Sequence, residues 1–247
     1  MILLNKQIFV HLIGAVLLLF FYSCSSSIET ERNGEDVRYE KPEKVIKNIE
    51  LDERSYISLS RIKTIEKISF ELTPKGKPVN GEKLVSQNYN QDGFLTETIA
   101  YNKDGSIQYK YKYEYDNNGV RVRTKRYNSS GKMVNYYKYD YNEFGNKTKA
   151  YRYDPNGRLE EYYVYNYDVE GNLTEEEWFS ASGEEVYNVE TDYDNSTKTR
   201  TYTYDDDGNL IYKYVFRYDG KGNILEESKY DNRNTQVGII QYVYKHY

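Results

Sequence analysis

Two histidines, one cysteine and 39 acidic residues are what this 247-residue chain offers to acid–base, nucleophilic or metal chemistry. His11 lies in an apolar leader and His246 stands one residue from the C-terminus, so no histidine set is placed to act as a general base or to hold a metal. Carboxylates are plentiful, but they fall in turns or on alternating polar positions. No one pair is set apart, as a glycosidase pair across a cleft would be. "YDDDGN" at 204–209 puts Asp205, Asp207 and Asn209 at alternate positions, as a calcium loop does. Its glycine comes fourth and no later Glu closes the loop, so it reads as an acidic hairpin turn. No catalytic residue, metal or cofactor is expected, and the chain is not expected to be an enzyme.

One residue stands apart for binding rather than catalysis. Trp178 is the only tryptophan, and the equivalent positions elsewhere in the chain hold Ala100, Arg126, Arg152, Thr203 and Lys229. Phe179 follows it where a tyrosine opens most turns, the turn "SAS" is uncharged, the next turn has Thr197 in place of glycine, and one residue is missing before Tyr204. That irregularity marks either a ligand contact or drift in a tolerant array. The candidate ligand-binding residues are Trp178 and Phe179, with Tyr137, Tyr163 and Tyr165 on the neighbouring aromatic rows.

The elements that must position these residues begin after an export leader. Residues 1–23 carry Lys6, then an apolar stretch of about 14 residues, shorter than the ~20 of a spanning helix. Ser23-Cys24 at its end resembles the lipobox of bacterial lipoproteins, in which the cysteine is lipidated and becomes the first mature residue. The box usually has Leu three residues before the cysteine, where Phe21 stands here. Ser25 after the cysteine leans, by that resemblance, towards the outer membrane over the inner, with the protein facing the periplasm or the surface. The alternative is a secretory signal with a chance cysteine. With Cys24 lipidated, no thiol remains for a disulfide or a metal.

Beyond the leader, 33 basic residues face 39 acidic ones, so the net charge is about −6 and no basic stripe attracts nucleic acid. Residues 24–44 are polar and charged and read as a flexible tether. From 45 to 88 the pattern suggests an atypical N-terminal capping hairpin, with "KTIEKISFEL" as a strand and a short helix around 58–67, where Ile62, Ile65 and Ile68 also fit a three-residue spacing.

From 89 to 247 the chain repeats. An aromatic residue followed four positions later by glycine or its stand-in recurs at 89, 101, 115, 127, 141, 153, 167, 179, 193, 204, 218 and 230. The intervals alternate between 12 and 14 residues with one exception, giving a 26-residue unit of two strands and two turns. Asp, Asn and Ser can bond their own backbone to start each turn, and glycine supplies the positive φ that closes it. "YRYDPNGRLEEY" at 151–162 is the best-formed copy. Connections this short permit only antiparallel hairpins.

The expected fold is therefore all-β, an antiparallel meander of about 12 strands in tandem hairpin repeats. Tyrosine, at 31 residues, outnumbers Phe and Trp together more than threefold and lines one face of the longer strands. Counting by twos from the turn tyrosines puts Glu97, Arg123, Lys149, Glu175, Arg200 and Glu226 on that same face. So many charges would not suit an aliphatic sandwich or a closed barrel, and an extended or coiled single sheet is the reading they favour.

"YRYDPNGRL", "YEYDNNGVR", "YNYDVEGNL" and "FRYDGKGNI" resemble the YD repeat of the rearrangement hot-spot family. The resemblance implies spiralling β sheets that in that family can enclose a toxin; no effector domain is expected with this array. The arrangement also resembles small repeat lipoproteins of Bacteroidetes. The function expected is that of a lipid-anchored envelope protein whose tyrosine-rich sheet binds a polysaccharide or a protein. A structural envelope spacer and an accessory or immunity component of a toxin system are the alternatives.

Overall fold

A computed structural model describes residues 48–247; the leader, Cys24 and the tether lie outside the described residues. One helix, α1 (Ile49–Leu59), precedes fourteen strands: β1 (Ile62–Leu72), β2 (Pro78–Tyr89), β3 (Leu95–Tyr101), β4 (Ile107–Tyr115), β5 (Arg121–Asn128), β6 (Met133–Tyr141), β7 (Lys147–Tyr153), β8 (Leu159–Tyr167), β9 (Leu173–Ser180), β10 (Glu185–Asp194), β11 (Thr197–Asp205), β12 (Leu210–Tyr218), β13 (Ile224–Asp231) and β14 (Gln236–His246). Each strand pairs antiparallel with its chain neighbours, and β1 also pairs with β14. The sheet is thus a closed barrel of fourteen strands, not the open single sheet of about twelve that the charge pattern favoured. Closure leaves no strand edge unpaired.

The reason for the difference is a β-bulge near the start of every shorter strand of the array. In β5 the register on β4 jumps between Glu114↔Arg123 and Tyr115↔Arg121. Arg121 and Thr124, three residues apart, therefore share the inner face. Counting by twos skips that extra residue and inverts the faces. Glu97, Arg123, Lys149, Glu175, Arg200 and Glu226 stand on the outer wall, where Arg123 meets Glu114 at 3.8 Å and Arg217 meets Glu226 at 3.2 Å. The charges that argued against closure face water.

The turns follow the expected chemistry. In the 153–158 copy, Asp154 Oδ1 accepts from the backbone N–H of Asn156 and of Arg158, both at 2.9 Å, and Gly157 takes φ +90°. Asp205 accepts in the same way from Asp207 and Asn209 at 3.2 and 2.7 Å, so the acidic 204–209 segment spends its first carboxylate on its turn. The irregular turn between β10 and β11 is two residues long, with Asn195 and Ser196 at φ +47° and +62°. The missing residue is simply a shorter hairpin.

Tyrosine is required at one repeat position for its hydroxyl. Tyr115, Tyr141, Tyr167, Tyr193, Tyr218 and Tyr244 each donate to the carbonyl of the residue twenty positions earlier, at 2.6–2.9 Å: Leu95, Arg121, Lys147, Leu173, Lys198 and Ile224. Those acceptors open the bulged strands, each as the first residue except Lys198, the second of β11. Each hydroxyl thus satisfies a carbonyl at a point where the ladder is disrupted.

The helix lies across one end of the barrel, not at 58–67. Asn48 caps it, its Oδ1 accepting from Leu51 N–H at 3.0 Å. Ile49, Glu53 and Ile57 are its buried residues, spaced four apart along one face. Ile57 packs with Ile62, Ile65, Tyr89, Leu95, Ile224, Ile240 and Tyr242 on one side, and Ile49 with Tyr167, Leu173 and Tyr193 on the other. A register shift between Ile62 and Thr64 brings Ile62 and Ile65 to one face, the three-residue spacing that imitated a helix. The helix sits close to the turns beneath it: a Cβ on Gly93 would lie 2.0 Å from the Arg54 carbonyl oxygen.

Candidate functional site

The repeat stacks the inward residues of the shorter strands into three layers. Nearest α1 lie Leu95, Arg121, Lys147, Leu173, Lys198 and Ile224. Next come Thr98, Thr124, Ala150, Glu176, Thr201 and Glu227. Nearest the opposite end are Ala100, Arg126, Arg152, Trp178, Thr203 and Lys229. The tyrosines of the longer strands fill the spaces between them. Among the described residues, no element crosses that opposite end, which we term the mouth.

The two deeper layers are a packed ionic lattice. Glu50 of α1 meets Lys147 at 3.2 Å and Arg121 at 3.9 Å, and Lys67 meets Glu227 at 3.5 Å. The cations also rest on rings: Arg121 on Tyr113 at 4.8 Å, Lys147 on Tyr139 at 4.7 Å, Lys67 on Tyr242 at 4.7 Å and Lys198 on Phe216 at 4.6 Å. Burial works against ionisation of Glu50, but Arg121 and Lys147 outweigh it and hold the carboxyl below its usual range. At Glu53 burial outweighs the same two cations and pushes the carboxyl up to about 8. Burial likewise lifts Glu176 to about 7 and draws Lys198 down to about 8.

Groups titrating near neutrality in a cleft are the usual mark of acid–base chemistry. Here the cavity beside Glu50, Glu53 and Arg121 has a volume of about 120 Å³ and is roofed by α1. That is room for a few waters, not a substrate. Among the described residues no cluster of three metal-ligating side chains forms.

The mouth differs in both space and charge. A cleft of about 260 Å³ opens there between Phe70, Glu71, Asn80 and Lys103 on one side and Tyr212, Lys229 and Gly238 on the other. Such a volume approaches the roughly 300–1,000 Å³ of small-molecule sites. Arg152 is neutralised by Glu161 at 2.6 Å and Glu160 at 3.1 Å. Lys229 lies 3.4 Å from the centre of the Tyr212 ring, and Arg126 lies 4.5 Å from that of Tyr109. Among the described residues no carboxylate lies within 4 Å of either cation.

The structure sorts the sequence candidates. Trp178 faces the mouth, half-buried, parallel to Tyr163 at 6.2 Å and edge-on to Tyr187 at 5.0 Å. Tyr137 and Tyr163 belong to the same cluster, and Tyr165 lies one layer deeper, 5.4 Å from the Lys147 ammonium. Phe179 is separated from them: it points outward and stacks on Tyr162 at 5.0 Å. The broken repeat is separated too, because the Asp194–Thr197 turn is at the helix end and Trp178 pairs with Tyr187 near the mouth. Arg126, Asn135, Lys229 and Tyr187 were missed as candidates. Their signal was the repeat position they share or face, legible once the bulge is counted.

The outer wall carries Lys112, Glu114, Lys138, Asp140, Glu175 and Glu177 along its strands. Among the described residues no helix is long and apolar enough to cross a membrane.

Comparison with known proteins adds the following. No protein-family model matches the chain. No curated protein matches it either. Among solved structures, a porin-like protein from Bacteroides uniformis aligns over 74% of this chain and 98% of its own, at 12% identity and a TM-score of 0.44. A porin-like protein from Bacteroides vulgatus aligns over 74% and 98%, at 11% identity and a TM-score of 0.35. TcdB2-TccC3 aligns over 66% of this chain and 12% of its own, at 13% identity and a TM-score of 0.26. All three scores lie below 0.5, and the assignment of a closed all-β barrel rests on the chain's own strand pairing.

Proposed function

We propose that this chain is a non-catalytic binding module of the bacterial cell envelope, tethered through a lipid on Cys24, that receives its ligand in the mouth of the barrel. The observation that carries the reading is the mouth itself. Half-buried Trp178, set on the buried rings of Tyr163 and Tyr187, shares a layer with Arg126 and with Lys229, which lines the open cleft on the opposite side of the mouth, while the other end is roofed by α1. Aromatic rings with a few convergent polar groups are what small-ligand sites are made of. Because the tyrosine rows face inward, a ligand meets them end-on and not as a polymer lying along a sheet. The leader and Cys24 support the envelope placement, Ser25 favours the outer membrane over the inner, and the charged outer wall suits a domain standing in water beside the bilayer.

Trp178 is the only tryptophan, so its fluorescence reports on the mouth alone. Titration of the full chain in detergent with panels of oligosaccharides and peptides should give a saturable change for at least one class, abolished by Trp178→Ala at unchanged melting temperature when followed by calorimetry. Absence of any response or heat across both panels would overturn the reading in favour of a structural spacer.

A further inference from the structure

Arg126 on β5 and Asn135 on β6 are direct cross-strand partners in the mouth layer. The Arg126 side chain is half-buried, but its Nε is sealed from water and has no acceptor among the described residues. Asn135 is 1% exposed, and its Oδ1 likewise has no donor. Two facing polar atoms left unsatisfied in a buried layer are rare, and each calls for a reason. Two other guanidinium groups offer a contrast. Arg121 and Arg152 also leave Nε without an acceptor, but both lie beside carboxylates, so among the described residues Arg126, bonded to the Tyr111 hydroxyl, is the one of the three with no carboxylate within 4 Å. Its cation is held against Tyr109 and adjoins Tyr111 and Tyr137, a setting that burial and neighbouring hydroxyls shape without supplying an anion.

Arg126, Arg152 and Trp178 lie on β5, β7 and β9, at the same height in successive repeats. Four strand spacings separate the first from the last, roughly 19 Å along the wall. A ligand that meets both is longer than a single ring. Its acid must suit a planar, fixed guanidinium fork, which carboxylates do. Its body must suit an aromatic platform. A peptide would gain most by adding to a sheet edge, and the closed barrel has none to offer.

Resting on the mouth-binding reading above, the geometry points to an acidic oligosaccharide as the ligand, with a uronate carboxylate on Arg126, a hydroxyl of that ring on Asn135, and a ring several units farther along the same chain against Trp178. Bound this way, the carboxylate supplies the anion that the chain withholds from Arg126. Asn135 Oδ1, an acceptor, takes a hydroxyl of the same sugar as its donor, and Arg152, already paired, adds positive field without competing for the ligand.

The test uses galacturonate oligomers of three to six rings and the same oligomers with every carboxylate methyl-esterified, titrated against the full chain in detergent by Trp178 fluorescence and calorimetry. The acid form should bind more tightly than the ester by roughly ten- to a hundredfold, the range of a charge-assisted hydrogen bond. Arg126→Gln should erase that discrimination while leaving ester affinity and melting temperature in place, and Arg126→Lys should restore part of it. Equal binding of acid and ester by the wild-type chain would overturn the inference and leave the mouth reading standing. Hexaglutamate binding as tightly as the acid oligomer would overturn the saccharide assignment. Failure of every ligand to bind would remove both proposals.

Discussion

Replacing Glu53 by glutamine should remove a pH dependence from the stability of the barrel. Glu53 faces the lumen from α1 at 7% exposure. Burial raises its carboxyl to about 8 from 4.5; Arg121 and Lys147 pull it down, and Glu50 pushes it further up. Between those two pH values the folded chain holds a proton that the unfolded chain has released. The stabilisation is complete below about 4.5 and drains away as pH rises to about 8. A gap of that size corresponds to roughly 5 kcal/mol at most. Glutamine has the shape of the protonated acid and no proton to lose. Glu53→Gln should therefore match the wild type near pH 4 and exceed its stability by up to roughly 5 kcal/mol at pH 8. Glu176, also raised, and Lys198, lowered, titrate in both proteins and cancel from the difference. Urea unfolding followed by far-ultraviolet circular dichroism at several pH values between 4 and 8.5 measures it. Parallel stability curves, or a variant less stable at pH 8, would show that Glu53 ionises freely and that α1 does not seal it.

Two further substitutions test the parts that position the site. Tyr141→Phe removes the 2.6 Å hydrogen bond to the Arg121 carbonyl and should cost about 1 kcal/mol in thermal or urea unfolding, whereas Tyr136→Phe on the outer wall should stay within about 0.5 kcal/mol of wild type. Gly93→Ala and Gly105→Ala meet the same backbone penalty, with φ of +82° and +80°, but only the first also drives a Cβ to 2.0 Å from the Arg54 carbonyl oxygen. Gly105→Ala should lose about 1 kcal/mol, and Gly93→Ala at least about twice that, with α1 displaced and amide exchange at residues 49–59 accelerated.

The turns and the strand order were legible in the sequence because their causes are local. Asp154, Asn156 and Gly157 state a hairpin within five residues, and the 12-and-14 spacing repeats it around the barrel. Closure was not legible, because it depends on β1 meeting β14 across some 170 positions and on a bulge that no residue type announces. One skipped residue in each shorter strand, Val122 in β5, was enough to send six charges to the wrong face and make a barrel look implausible. Helix α1 was readable in principle, since Asn48 with Glu50 and Asp52 behind it is a capping signal followed by Ile49, Glu53 and Ile57 on one stripe. The competing three-residue spacing of Ile62 and Ile65 drew attention downstream. At the site, Trp178 stood out as a departure from its repeat position, whereas Asn135 could be recognised only from what faces it.

Because the repeat places six positions at each height of the lumen, the layers can be compared with one another as if they were the same site solved several times. Near α1 every buried cation has an answering acid: Arg121 and Lys147 have Glu50, and Lys198 has Glu227 and Glu176. That is how a barrel interior accommodates charge when stability alone is at stake, since an unanswered buried ion is costly and an apolar residue would serve better. At the mouth the rule lapses. Arg126 and Lys229 occupy the layer that also holds Ala100 and Thr203, so the fold tolerates small neutral residues at that height and does not require a cation. Two positive charges that the wall leaves without a carboxylate partner, in the same layer as the chain's one tryptophan, are what the mouth-binding proposal accounts for and the requirements of the wall do not.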